Sequence, residues 1–395
     1  MCGEGSGCKR PRYELAEIFD KYFWQYELER GVSAFQRKVV RRIQRCRTAA
    51  LGYHKLVCRD EGCDYERTEY NSCRNRHCPK CHCSKRMEWL ARQKESLLPV
   101  VYYHGVFTLP HILNVVALYN KEAIYGDFFK SVGNALLAFG RDPKYLGGEL
   151  GLTGILHTWG QALTQHIHLH FIIPGGGLSN DGTRWVNLPY RKDFLFPSYG
   201  LSRRIRQEFC ERLQKRYEGG ELSFPDELSH LSGRDEFEGY LREVSEANWY
   251  CYLQKPMGGP EAVIGYLSRY THRIAISNDR ILDIEGGEIS FLYKDYRDEK
   301  SGLKPMRLGY VEFIRRYLQH IVPRGFRRIR HYGFLAGSSC KEKLAKAREL
   351  LQARYEEIKA RASKLLNWYN PDEYRKCPKC GGALEVLSVL PFRPG

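Results

Sequence analysis

A chain of 395 residues with 43% hydrophobic residues is long enough for two or three domains with real cores. No window offers the roughly eighteen apolar residues of a membrane-spanning helix. A formal net charge of +17, from 63 Lys and Arg against 46 Asp and Glu, favours a polyanionic partner. Nucleic acid is favoured over a membrane surface, because no basic amphipathic anchor stands out. The start, Met1-Cys2-Gly3-Glu4-Gly5, lacks the apolar core of a signal peptide, so a cytoplasmic protein is expected. In such a protein 14 cysteines point to metal rather than to disulfides.

In chain order, residues 12–50 read as helical. Arg37, Lys38, Arg41, Arg42 and Arg45 form an outward basic stripe, suited to a DNA backbone or to solvent. Residues 51–95 hold the cysteine cluster. Cys58-x4-Cys63 and Cys78-x2-Cys81 are knuckle-like pairs whose spacing lets two loops supply four thiolates to one closed tetrahedral Zn²⁺ site. Cys73, His77, Cys83, His54 and His82 are also within reach, so ligand exchange or a second site stays open. Arg74, Arg76, Lys80, Lys85 and Arg86 would seat this module against phosphates. An amphipathic helix over 85–98, a strand over 100–109 closed by Pro110, and helix over 111–140 follow.

A β-hairpin comes next: a strand over 152–159, then 165–174, where His166, His168 and His170 alternate with Ile167, Leu169 and Phe171. Period two puts the three imidazoles on one face, roughly 7 Å apart from neighbour to neighbour, close enough to converge on one ion. Burying them side by side without a partner would be costly. His168 and His170 are the leading metal pair, with His166 as third ligand or support. His157 on the neighbouring strand is the other candidate, and Gln165 a weaker one. Mixed nitrogen and oxygen ligation suits Mg²⁺ or Mn²⁺, with Zn²⁺ and Co²⁺ as alternatives. Gly175-Gly176-Gly177 and Asn180-Asp181-Gly182 are turns leading to a short strand over 184–188; no P-loop lysine follows the glycines.

Residues 202–217 form a basic helix, 218–245 a polar, partly helical segment, and 249–254 a strand. A helix over 261–270 carries Tyr266 and Tyr270, four apart and so on one face, flanked by Arg269, His272 and Arg273. A strand leaves it over 273–277, and a second β-hairpin spans 281–285 and 288–294. A helix covers 311–320. Lys304, Arg307, Arg315, Arg316, Arg324, Arg327, Arg328 and Arg330, interleaved with Tyr317, Phe326 and Tyr332, make 304–332 the candidate contact for unpaired bases or DNA hairpins. A long charged helix is expected over 338–366. Cys377 and Cys380 in the tail are half a zinc site, whose missing half would be Cys340 or a partner's residues, unless the pair binds nothing. A metal centre beside a tyrosine pair suits nucleic-acid cleavage, the ion orienting a phosphate and a phenol attacking it.

The run Tyr70-Asn71-Ser72-Cys73-Arg74-Asn75-Arg76-His77-Cys78-Pro79-Lys80-Cys81 resembles the zinc-binding signature of rolling-circle insertion-sequence transposases, the insertion-sequence ninety-one family. Residues 166–177, 266–277 and 324–336 resemble that family's later blocks, in its usual order. The likeness covers roughly residues 30–350. The first cysteine pair is spaced x4 where the family has x2, and Ile167 stands where it has proline. The resemblance implies an α+β His-hydrophobe-His endonuclease fold: an antiparallel sheet with flanking helices, the histidines on a central strand and the tyrosines on an adjacent helix. It implies His168 and His170 as the metal pair and Tyr266 and Tyr270 as nucleophiles that nick single-stranded DNA. The expected organisation is a zinc-binding module over 1–98, a catalytic domain over 99–336 and a helical tail over 337–395. The expected function is a metal-dependent DNA transposase. Its rivals are a replication initiator or relaxase of the same chemistry, and a non-catalytic zinc DNA-binding descendant of a transposase.

Overall fold

In the computed structural model, which describes residues 11–81, 89–90, 93, 96–188, 195–254, 263, 265, 274–295, 302–351 and 376–389, the helical stretch expected over 12–50 is two helices. Gly31, at φ 66°, ends α1 (Leu15–Arg30). The Ser33 hydroxyl then accepts from the Gln36 amide, and the Gln36 side chain accepts from the Ser33 amide, which starts α2 (Ala34–Gln44) with a capping box.

A small β-hairpin follows, β1 (Tyr53–Cys58) and β2 (Glu66–Tyr70). The central part of the chain supplies β3 (Tyr102–Thr108), α3 (Asn114–Tyr119), α4 (Lys121–Arg141), β4 (Gly151–Trp159), β5 (Gln165–Pro174), β6 (Gly176–Leu178) and β7 (Trp185–Asn187). After these come α5 (Ser198–Glu218), α6 (Arg234–Glu246), β8 (Tyr250–Leu253), β9 (Ile281–Glu285), β10 (Glu288–Lys294) and β11 (Leu303–Gly309). The last described elements are α7 (Tyr310–Gln319), β12 (Ile329–Gly333), α8 (Cys340–Leu350) and β13 (Leu384–Val389).

The fold is α+β. Its main sheet has the order β12-β4-β5-β3-β8, antiparallel throughout, with the histidine-bearing β5 at its centre. Strand alternation separates two faces. Phe107, Leu156, Ile167, Leu169 and Phe171 point to one side, into a core with Val116, Phe128, Phe129, Val132, Ile205 and Phe209 of the helices. Tyr102, His104, Ile155, His157, His168, His170 and Ile172 share the other side, as their cross-strand pairing requires.

A second core joins the N-terminal helices to the sheet β11-β10-β9 and to α7. Phe19 meets Tyr317 edge to face, with ring centroids 5.4 Å apart, and Asn278 Oδ1 accepts from the Leu15 amide. The third sheet, β13-β1-β2, returns the tail to the first β-hairpin across most of the sequence. Among the described residues no helix is long and apolar enough to cross a membrane.

Candidate active site and metal centres

Pairing of β4 with β5 sets His157 directly opposite His168, and His170 one step along the same face. One ring nitrogen from each of these three residues lies within 4.8 Å of the others. Ring centroids are 4.6 Å apart for His157 and His170, and 4.9 Å for His168 and His170. His157 and His170 are buried and His168 half-buried, so the cluster is reached from the His168 side. Trp159 stacks on His157 at 5.1 Å and closes one flank.

His166, expected as third ligand or support, is not in this group of three; its ring sits 4.8 Å from that of His168 and 5.7 Å from that of His111. Along one strand the first and third of three alternating residues are about 13 Å apart, whereas a neighbouring strand lies only about 4.8 Å away. A third imidazole therefore arrives more readily across the sheet than along it, and His157 stands in that place beside His168 and His170. Burial and the nearby His111 hold His166 below its ordinary pKa.

Hydrogen bonds orient the ligands. The His168 Nδ1–H donates to the His166 carbonyl at 2.9 Å, which leaves Nε2 with its lone pair. His170 Nδ1 is 2.9 Å from His104 Nε2, and His104 Nδ1 is 2.9 Å from Gln254 Oε1. The amide oxygen only accepts, so His104 donates to it from Nδ1 and accepts from His170 through Nε2. His170 is thereby fixed with its proton on Nδ1, the arrangement that frees Nε2 for a metal. Burial lowers the pKa of His104, partly opposed by the Gln254 bond. Three imidazoles form a donor set that fits a divalent cation, and no carboxylate joins the group among the described residues.

Tyr266, Tyr270, Arg269 and Arg273 lie outside the described residues. Val263, three positions before Tyr266, is helical and fully buried against Ile155, Ile172 and Tyr102, all on the histidine-bearing face. That face also carries Tyr250 and Tyr252, which pair with Thr108 and Val106. Both are about half exposed on the edge strand β8, with rings 6.2 Å apart. Their signal in the sequence is the alternating Tyr250-Cys251-Tyr252 of a predicted strand, which is not a metal or nucleophile motif.

Among the described residues the cysteines form two four-thiol groups, so the pairs Cys58, Cys63 and Cys78, Cys81 do not share one tetrahedron, and the second site left open by the sequence is the arrangement found. Cys46, Cys73, Cys78 and Cys81 gather in one buried group, with Sγ atoms 3.4 Å apart for Cys46 and Cys81, and 3.5 Å for Cys73 and Cys81. Tetrahedral zinc with bonds of about 2.3 Å has sulfur–sulfur edges near 3.8 Å, so this group fits a structural Zn²⁺. Cys58 and Cys63 instead face Cys377 and Cys380.

The reason is the β-hairpin between them. Six-residue β1 spans roughly 20 Å, which puts Cys58 and Cys63 at the tip. Asn71 bonds back to Gly52 and Arg47 at the base, where Cys73 meets Cys46. Cys46, just past α2, lay outside the cysteine-dense window and was missed. Cys340 opens α8 and takes no part in the tail group. His77 joins neither thiol group: it is buried, its Nε2 makes no hydrogen bond among the described residues, and burial holds its pKa well down. Cys83 and His82 lie outside the described residues.

The basic positions divide. Lys38, Arg41, Arg42 and Arg45 on α2 are exposed, as are Arg74, Arg76, Arg324 and Arg327. Arg330 lies over the rings of Phe129 and Phe326, at 4.6 and 5.0 Å, and Arg328 is crowded enough that its pKa falls to about 10. Glu312 engages both Arg315 and Arg316, while Phe326 and Tyr317 are core residues. Much of the 304–332 segment expected to stack on bases is therefore packed against the protein itself.

Residues 18–109 match the family model described as "Transposase zinc-binding domain", and residues 151–343 the one described as "Putative transposase". The first span holds the buried thiol group, the second the three histidines; Cys377 and Cys380 fall outside both. The chain is 41% identical over 384 residues to "Putative transposase y4qJ" of Sinorhizobium fredii (strain NBRC 101917 / NGR234), covering 93% of this chain and 92% of the relative. It is 28% identical over 338 residues to "Transposase for insertion sequence element IS801" of Pseudomonas savastanoi pv. phaseolicola, covering 83% and 77% respectively. No solved structure matches. With a zinc-binding segment ahead of a transposase core, and a transposase alike along nearly its whole length, the chain belongs to the insertion-sequence ninety-one family of transposases.

Proposed function

We propose that this transposase nicks DNA at single-stranded element ends, or at DNA hairpins formed there, by attack of Tyr266 or Tyr270 on a backbone phosphorus at the histidine cluster. The reading rests on one observation, the convergence of His157, His168 and His170 on the face against which Val263 is buried. A divalent ion there, Mg²⁺ or Mn²⁺ by this reading, supplies Lewis-acid polarisation of the phosphate. Among the described residues the protein donors are all nitrogen, so oxygen ligands there are left to water and to the phosphate itself.

The chain's own groups do the rest. The tyrosine oxygen bonds to phosphorus, the bond from phosphorus to the 3′ oxygen breaks, and the phenolic proton ends on the 3′-hydroxyl by way of solvent. A 5′-phosphotyrosine results. One phosphodiester has replaced another, so a later 3′-hydroxyl can reverse the step without ATP, and two tyrosines allow two successive transfers. Arg269 and Arg273 flank the pair and would steady phosphate charge. His104 and Gln254 hold His170 in register. Tyr250 and Tyr252 offer a stacking surface to unpaired bases, and the exposed cations of α2 a path for the backbone.

The test incubates the protein with labelled single-stranded element ends and Mg²⁺ or Mn²⁺. A denaturant-stable protein–DNA adduct is expected, and Tyr266→Phe with Tyr270→Phe abolishes it. An adduct that persists in the double variant removes these tyrosines from the reaction.

A further inference from the structure

Two stretches of chain more than three hundred residues apart bring four thiols together outside the histidine centre. Cys58 Sγ lies 3.4 Å from Cys380 Sγ, and Cys63 Sγ 3.7 Å from Cys377 Sγ. These separations are too long for a disulfide, at about 2.05 Å, and close to the edges of a tetrahedral zinc–sulfur site. Each pair sits on a tight turn completed by a left-handed glycine, Gly62 at φ 88° and Gly381 at φ 82°. In the tail turn the Lys379 amide points at Cys377 Sγ and the Gly382 amide at Cys380 Sγ, both at 3.4 Å. Amides aimed at sulfur favour thiolates, the form that binds metal.

What else holds the tail is slight. Among the described residues its apolar contact with the β-hairpin buries only Leu56, Cys377 and Leu384, with Cys58, Cys63 and Tyr65 partly covered. The ion pairs Arg59–Glu385 and Lys379–Asp64 are exposed, and exposed pairs contribute little. Five residues of β1 nevertheless pair antiparallel with β13, with a β-bulge between Lys55 and Leu56. A strand held by so little core needs a further restraint, as small modules generally do.

We propose that Cys58, Cys63, Cys377 and Cys380 bind a second Zn²⁺, which clasps the tail onto the N-terminal β-hairpin. Its binding displaces four thiol protons to solvent and involves no change of oxidation state. Cys380 is exposed and Cys58 and Cys63 are half-buried, whereas all four cysteines of the first group are buried. The clasp ion is thus the one that a chelator reaches first.

Metal analysis of the full chain is expected to give two zinc ions, and Cys377→Ser with Cys380→Ser one. Hydrogen exchange on the unaltered protein gives a second measure. Amides of 384–389 are expected to lose roughly tenfold or more of their protection when a chelator has removed the first equivalent of zinc. One zinc in both proteins overturns the proposal, as does tail protection unchanged after that first release. A denatured mass lighter by the four hydrogens lost in two disulfides, in the unaltered protein and not in the variant, overturns it as well.

Discussion

His104 Nε2 lies 2.9 Å from His170 Nδ1, and the opposite edge of the same ring meets Gln254 Oε1 at 2.9 Å. Removing this support with His104→Phe is expected to weaken divalent-ion affinity about 10- to 100-fold while leaving the three presumed ligands in place. Nicking activity titrated with Mn²⁺ would recover at high metal. An unshifted titration would show that His104 does not orient the site.

The two candidate third ligands separate cleanly. His157→Ala should cut adduct formation about 100-fold or more, and His166→Ala by no more than severalfold, because only His157 stands within reach of His168 and His170. The reverse order, read from single-turnover rates, would return His166 to the centre.

Tyr250→Ala and Tyr252→Ala should each weaken single-strand binding by about 1–3 kcal/mol and leave duplex binding nearly unchanged. Fluorescence anisotropy on both substrates makes the comparison. Equal losses on the two would point to a role other than base stacking.

Gly333 holds φ 59° at the end of β12, and a Cβ there would stand 1.7 Å from the Leu150 carbonyl oxygen. Gly333→Ala is expected to destabilise the protein by about 2 kcal/mol or more, through both backbone strain and displacement of β4. A thermal unfolding midpoint within a degree of the parent's would contradict this.

His320 is buried with Nε2 donating to the Leu163 carbonyl, and burial lowers its pKa from 6.5 to about 3. His331 and His77 are lowered for the same reason. A depressed histidine pKa means that the unfolded chain binds more protons between the two values. Stability is therefore full above about pH 6.5 and falls as the pH drops from there toward 3. Unfolding midpoints measured between pH 7.5 and 5 should decline, and His320→Gln should flatten that decline; an equal slope in the variant would exclude His320 as a contributor.

The legible part of the site was the part written in one segment. Alternation along 165–174 announced the face shared by His168 and His170, whereas the sheet centred on that strand was implied by the family resemblance. His157 became a ligand candidate of equal rank only through the register of two strands, which no single strand encodes. The same limit applies to sulfur: Cys46 joins Cys73 because a β-hairpin base returns to the end of α2, and Cys377 joins Cys63 because a sheet spans the chain. Composition told that 304–332 is basic and aromatic, but not that Phe326 faces inward and carries Arg330 with it.

The sheet β13-β1-β2 also has a consequence in time. Cys63 and Cys377 are 314 positions apart, so at common synthesis rates of about 5–20 residues per second the first β-hairpin waits on the order of 15–60 s for its third strand. Until the ribosome has delivered residues 376–389, the nascent chain carries two open thiols at that tip. Any product interrupted earlier keeps them, and is marked by that defect as unfinished.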